Sequence, residues 1–205
     1  MSAPPITVLE VSAEEEAAIR AAVRGVSDAN LTIGRRIARP EDTAALTELL
    51  ADPAVSGPIY DIPRPIDEAH IGAWIDESLA LQAAGECLLL LNLTADGVVV
   101  GYSRVTIWPD RSAAELAGAM AASHQGGGQG GAGAVRMFGW IFDTLGVRMM
   151  GLTAALDNVR SAKLIDAAGF TRMGERDSVR PDGTVRRSLY WEMTREDWRG
   201  KWGQS

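Results

Sequence analysis

Apolar residues along the chain follow two rhythms. Strand-length apolar or alternating runs occupy residues 31–38, 86–93, 98–108, 114–122, 149–156, 170–178 and 185–193. Spacings of three and four place Ile71, Trp74, Ile75 and Leu79 on one helix face, and Val135, Phe138, Phe142 and Leu145 on another. Further helices are predicted at 13–23, 40–50 and 160–168. Pro40-Glu41-Asp42 suits a helix start, because proline is tolerated in the first turn and acids favour the positive end of the dipole. Pro53, Pro58, Pro63 and Pro65 make 52–64 a loop, while Asp96-Gly97 and Pro181-Asp182-Gly183 read as turns. Thr194 to Asp197 resembles a capped helix start. The order is β-α-α-β-β-β-α-β-α-β-β, which predicts a mixed α/β (α+β) fold with one mostly antiparallel central sheet flanked by helices. The helix at 13–23 is expected to lie outside the domain. The expected organisation is an N-terminal helical extension at 1–28, one domain at 29–198 and a tail at 199–205.

Length and composition agree with one globular domain: 205 residues, 46% hydrophobic and 23% charged. A net charge of −7 argues against a nucleic-acid partner and is compatible with a cationic one. No apolar run approaches the roughly 20 residues that span a bilayer, and the first fifteen residues lack the pattern of a secretory signal. A cytoplasmic location without a membrane partner is therefore expected. The single cysteine, Cys87, sits beside an apolar strand and reads as buried and inert; with only His70 and His124 besides, no metal site is expected.

One segment calls for chemistry. Gln125, Gly126, Gly127, Gly128, Gln129, Gly130 and Gly131 lie between a predicted strand and a predicted helix. Glycines there permit positive φ and close backbone approach, and the N–H groups of a turn and helix start form an anion site suited to a diphosphate. Two other readings stay open. A flexible linker would be flanked by polar segments, whereas this one is flanked by apolar ones. The match of Gly126, Gly128 and Gly131 to G-x-G-x-x-G would need a βαβ array, whereas the preceding strands read as a meander.

The turn also fits Q/R-x-x-G-x-G/A through Gln125, Gly128 and Gly130. Downstream, Asn158, Ser161, Leu164, Gly169 and Phe170 follow N-x-x-S-x-x-L-x-x-x-x-G-F. As a set these resemble the GNAT acetyltransferase superfamily. Arg39-Pro40-Glu41-Asp42, Pro63-x-Pro65, Ala69 and Trp74-Ile75 are similar to the branch of ribosomal-protein N-terminal acetyltransferases. The resemblance spans about 31–198. It implies acetyl-CoA as co-substrate, without metal, and a sheet splayed at the cofactor site. It implies backbone contacts to pantetheine from Gly118, Ala119 and Met120, pyrophosphate at the glycine turn, and Asn158 on the pantetheine arm; Asn158 also reads as a helix cap.

Amine acetylation needs a base, since the amine must lose a proton. Glu115 is the candidate base, at a place where this branch often carries an acid. Many family members have a tyrosine acid four residues after the serine; here that place is Ile165, and Ser161 is the candidate substitute. Tyr60 and Asp61 lie in a loop that borders the acceptor site in the family. The acceptor is expected to be a primary amine, either a peptide N-terminus or a small molecule, and the C-terminal strands leave room for a homodimer. A succinyl donor and a non-catalytic acyl-CoA sensor on the same fold remain as alternatives.

Overall fold

A computed structural model describes residues 3–124, 129–179 and 183–203. Helix α1 (Ala13–Arg24) begins at Ser12, whose side chain accepts from the Glu15 N–H, with three glutamates in the first turn. Strand β1 (Arg35–Ile37) leads through a short 3-10 turn to α2 (Thr43–Ala51), α3 (Pro53–Ser56) and α4 (Glu68–Ala84). Strands β2 (Cys87–Leu93), β3 (Val99–Trp108) and β4 (Ala113–Met120) form a meander. Helix α5 (Gln129–Trp140) runs into a π-helical turn, Ile141–Leu145, that ends at Gly146 in the left-handed conformation. Then come β5 (Met149–Ala155), α6 (Val159–Ala168), β6 (Thr171–Val179), β7 (Val185–Thr194) and α7 (Arg195–Trp202).

The seven strands form one sheet in the order β1-β2-β3-β4-β5-β7-β6. Every pairing is antiparallel except β4 with β5. The sheet buries a different core on each face. On one, Leu88, Leu90, Val105, Ile107, Met150, Leu152, Trp191 and Met193 meet Phe138, Phe142, Ile165 and Trp198. On the other, Leu89, Leu91 and Tyr102 meet Leu46, Leu50, Ile71 and Trp74 from α2 and α4. Alternation along β2 and β3 supplies both sets, as period-2 side chains require.

Three expectations are corrected. Helix α1 does not lie outside: Ile19, Val23 and Val26 are buried in the larger core, and Arg20 bonds Glu86 at 2.6 Å. The strand expected over 31–38 shrinks to three residues. Gly34 has φ 80°, and the Ile37 N–H donates to Asp28 Oδ1 at 2.8 Å, so the chain wraps here rather than extending. The proline-rich loop contains α3, because Asp52 caps it and Pro53 occupies its first position.

Candidate active site

Strands β4 and β5 pair only over three positions, Ala113↔Met149, Ala114↔Met150 and Glu115↔Gly151. Beyond them β4 continues to Met120 and β5 to Ala155, each paired only on its outer side. The sheet therefore forks. The Ala121 N–H bonds the Val100 carbonyl on the β3 side at 2.8 Å. Backbone groups alternate sides along an antiparallel strand, so Ala119 and Ala117 also turn toward β3. Leu116, Gly118 and Met120 turn their N–H and C=O groups into the fork. Of the three residues expected at pantetheine, Gly118 and Met120 turn backbone groups into the fork, whereas Ala119 turns its backbone to β3 and packs its side chain on the smaller core. Gly118 has a second reason to be glycine, since a Cβ there would lie 2.5 Å from the Tyr102 carbonyl oxygen.

Gln125, Gly126, Gly127 and Gly128 lie outside the described residues. Gln129 and Gly130 open α5, and among the described residues no atom lies within 4 Å of where a Cβ on Gly131, in its first turn, would stand. Arg35 reaches this helix from β1. Its guanidinium donates to Thr32 Oγ1 at 3.0 Å and to the Gly133 carbonyl at 3.5 Å. Burial, then the positive charge of Arg136, pushes its pKa down. Arg35 thus reaches the second and third turns of α5, where Arg136 also lies. Arg35 is 94 positions from the start of α5, at Gln129, and no local motif marks it.

Glu115 is the last β4 residue paired before the fork and is 5% exposed. Its Oε1 accepts from Thr153 Oγ1 at 3.1 Å and from the Tyr60 hydroxyl at 3.5 Å. Tyr60 and Asp61, from the loop between α3 and α4, are both buried here, and the Arg186 guanidinium lies 5.0 Å from the Tyr60 ring. Burial pushes the Asp61 carboxyl up, opposed by Arg104. The Asp61 Oδ1, Tyr102 Oη and Arg104 Nε atoms are buried without a hydrogen-bond partner, while the edge of Trp74 packs on Tyr102. Cys87 lies in the same neighbourhood, its thiol pushed up by burial, and so is inert as expected. A narrow cleft joins Tyr60, Glu115 and Thr153 to Arg176, Asp177 and Ser178 on β6, with Ala3 at its side. A larger depression lined by Ala51, Pro53, Ser56, Gly57, Arg64, Pro65 and Ile66 contains no acid and no sheet residue.

Asn158 is the N-cap of α6, its Oδ1 accepting from the Ser161 N–H at 3.1 Å. This is the cap that the sequence allowed. Ser161 lies in the first turn of α6, half-buried. Ile165, where the family carries a tyrosine acid, is buried in the larger core. Among the described residues no group of three or more His, Cys, Asp or Glu side chains could hold a metal, and no helix is long and apolar enough to cross a membrane.

A seven-strand, mostly antiparallel sheet forked at its one parallel pair, with helices on both faces, defines the class. The model of the acetyltransferase (GNAT) domain matches residues 33–171, and the chain belongs to that family. Solved structures with the same fold include RimL, a ribosomal L7/L12 alpha-N-protein acetyltransferase in complex with coenzyme A, with TM-score 0.69, 16% identity, and 81% of this chain and 97% of that chain covered. The ribosomal-protein-S5-alanine acetyltransferase from Vibrio fischeri has TM-score 0.67 and 13% identity over 80% and 93% of the two chains. Mycobacterium smegmatis RimJ, in complex with CoA-disulfide, has TM-score 0.66 and 21% identity over 80% and 82%. No curated protein sequence matches significantly.

Proposed function

We propose that this GNAT acetyltransferase moves an acetyl group from acetyl-CoA to the α-amine of a peptide or protein N-terminus, with Glu115 as general base. The observation that carries this reading is the place of Glu115: a buried carboxylate on the last residue pair before the fork. The fork suits pantetheine, since backbone groups of Leu116, Gly118 and Met120 turn into it. The start of α5, with Gly131 in its first turn, suits the phosphates. When bound, the cofactor supplies the acetyl thioester. The chain's residues do the rest. Glu115 takes the proton of the amine, directly or through one water. Thr153 and Tyr60 hold its Oε1 in place. Backbone N–H groups at the fork lie where an oxyanion donor is needed. Asn158 holds α6 and contacts the pantetheine arm, and Ser161 is the proposed proton donor to the leaving thiolate.

The peptide acceptor is supported by the ribosomal-protein acetyltransferases among the neighbours. A cytoplasmic location belongs to the same proposal, whereas the boundary expected at 29 does not separate α1, which shares the larger core. The test is an acceptor screen by mass spectrometry with acetyl-CoA and succinyl-CoA, offering peptides, polyamines and small amines. Acetylated peptide α-amines are the expected product; modified polyamines alone would overturn the acceptor class. The burial of Ile165 favours a second reading, a non-catalytic acyl-CoA sensor, which binding of acetyl-CoA without turnover of any amine would select.

A further inference from the structure

The face of β5 and β7 that carries Glu115's neighbours is polar, and among the described residues no helix shares a core with it. Gly151, Thr153, Ser188, Tyr190 and Glu192 line it, continuing the cross-strand row Glu115↔Gly151↔Glu192. Ser188, Tyr190 and Glu192 are nevertheless buried. Part of the cover is the chain's own start. The Ile6 and Thr7 N–H groups donate to Glu192 Oε1 at 2.6 and 3.1 Å, and the Thr7 hydroxyl donates to Glu192 Oε2. The Pro5 carbonyl accepts from Arg111 at 3.4 Å and the Pro4 carbonyl from Arg176 at 3.5 Å. Pro5 is buried, its Cγ 3.5 Å from where a Cβ on Gly151 would stand, and Ala3 lines the cleft that holds Tyr60 and Glu115.

These contacts read main chain. All but one go to backbone N–H or C=O groups, so any extended peptide presents the same donors and acceptors. Two prolines leave the segment stiff and with few donors of its own. We propose that this polar face is a subsite for an extended peptide, recognised by Arg111, Arg176 and Glu192, and that residues Ala3–Thr7 are its internal occupant, displaced when an external peptide binds. The inference rests on the acetyltransferase reading only in taking that peptide to be the acceptor.

The test uses the full chain. The double variant Ile6→Pro, Thr7→Ala removes an N–H and the hydroxyl that hold the segment to Glu192 and changes nothing in the site. The probe is a synthetic peptide of residues 3–8, carrying a fluorophore at its C-terminus and read by polarisation. The expected result is binding at least about tenfold tighter to the variant than to the unaltered protein, with a matching fall in KM for a peptide acceptor and unchanged KM for acetyl-CoA. Equal probe affinity for both folded proteins would overturn the proposal. Tighter probe binding without acetyl transfer to peptides would uphold the subsite and remove the peptide-acceptor reading. As a second measurement on the unaltered protein, saturating probe should speed hydrogen exchange at the Ile6 and Thr7 amides. Bound probe with unchanged exchange overturns the inference independently of how the variant folds.

Discussion

Strands β5 and β7 carry opposite chemistries on their two faces. One face presents Met150, Leu152, Ala154, Trp191 and Met193, packed beneath α5 and α6. The other presents Gly151, Thr153, Tyr190, Glu192 and Ser188. Both are largely buried, but by different means. The apolar face is satisfied by any close-packed neighbour, because burial of apolar surface is non-directional. The polar face demands a matching donor or acceptor for each group, and a buried group left without one costs about 1–3 kcal/mol. A helix cannot meet that demand, since its backbone groups are spent internally. An extended segment can, because its N–H and C=O groups are free. The same two strands therefore stabilise the fold with one face and hold an extended segment with the other.

The largest expected effect lies on the polar face. Glu115→Gln keeps shape and removes basicity, so kcat should fall by about 10²–10⁴-fold, the usual worth of general-base catalysis. CoA affinity by calorimetry should stay within about twofold. A fall below about fivefold, with the acidic limb of the pH–rate profile unchanged, would make Glu115 a structural residue. On the apolar face the effect should be on stability instead. Trp191 is 0% exposed, and Trp→Ala in a core costs about 3–5 kcal/mol. For a chain of this size that lowers Tm by roughly 6–20 °C. Trp191→Ala should leave KM for acetyl-CoA unchanged at temperatures where it is folded. If instead the KM rose while Tm held, the division of labour between the faces would be wrong.

The two sides of the fork also differ in how far the sequence revealed them. The proposed cofactor side rests on local signals: Gly118, the glycine turn and Asn158 fall at fixed spacings, and backbone recognition of phosphate favours glycine. At Ala119 only strand register decides which way the backbone turns, and no local signal carries it. The acceptor side is assembled from Tyr60, Glu115, Thr153 and Arg176, which lie far apart in the sequence. Glu115 was singled out by its place, where this branch of the family often carries an acid. Nothing local marked Arg35, Glu192 or residues 3–7, whose roles arise only when β1, β7 and the chain start are brought together. Likewise α1 reads as an outlying helix because alanine and glutamate dominate it, although Ile19 and Val23 suffice to bury one stripe.

A smaller effect tests the cofactor side. Asn158→Ala removes the α6 cap, which costs about 1 kcal/mol, measured as a urea midpoint. If Asn158 also contacts pantetheine, CoA affinity should fall by about tenfold, the loss of roughly 1.4 kcal/mol. A lowered midpoint with unchanged affinity would leave Asn158 as a cap alone.

The smallest effect concerns the pH dependence of the contact between residues 3–7 and the sheet. Burial alone would raise the Glu192 carboxyl, but hydrogen bonds from Thr7, Tyr190 and Ile6 outweigh it and hold the pKa below its ordinary value. Tyr190 moves the other way: burial, and then the bond to Glu192, raises its phenol, so it stays protonated and donating at 2.7 Å. A carboxyl depressed in the folded state binds protons less readily there than in the unfolded chain. Its contribution is therefore present in full above the unfolded pKa of about 4.3 and is lost as pH falls through the folded pKa. Asp61 has the opposite sign. Burial raises its carboxyl, so acidification through its folded pKa favours the folded state. A stability profile of the unaltered protein alone mixes the two. Glu192→Gln separates them: the amide oxygen can still accept from Ile6 and Thr7, but no proton is taken up. Between pH 7 and 3, the urea midpoint of the unaltered protein should fall further than that of Glu192→Gln. The difference should develop only below about pH 4.5, where an ordinary glutamate begins to protonate. It should shrink in the background of Ile6→Pro, Thr7→Ala, since two of the four bonds that depress the carboxyl are then gone. Parallel profiles for the unaltered protein and Glu192→Gln would mean that residues 3–7 are held by packing of Pro5 rather than by the carboxylate.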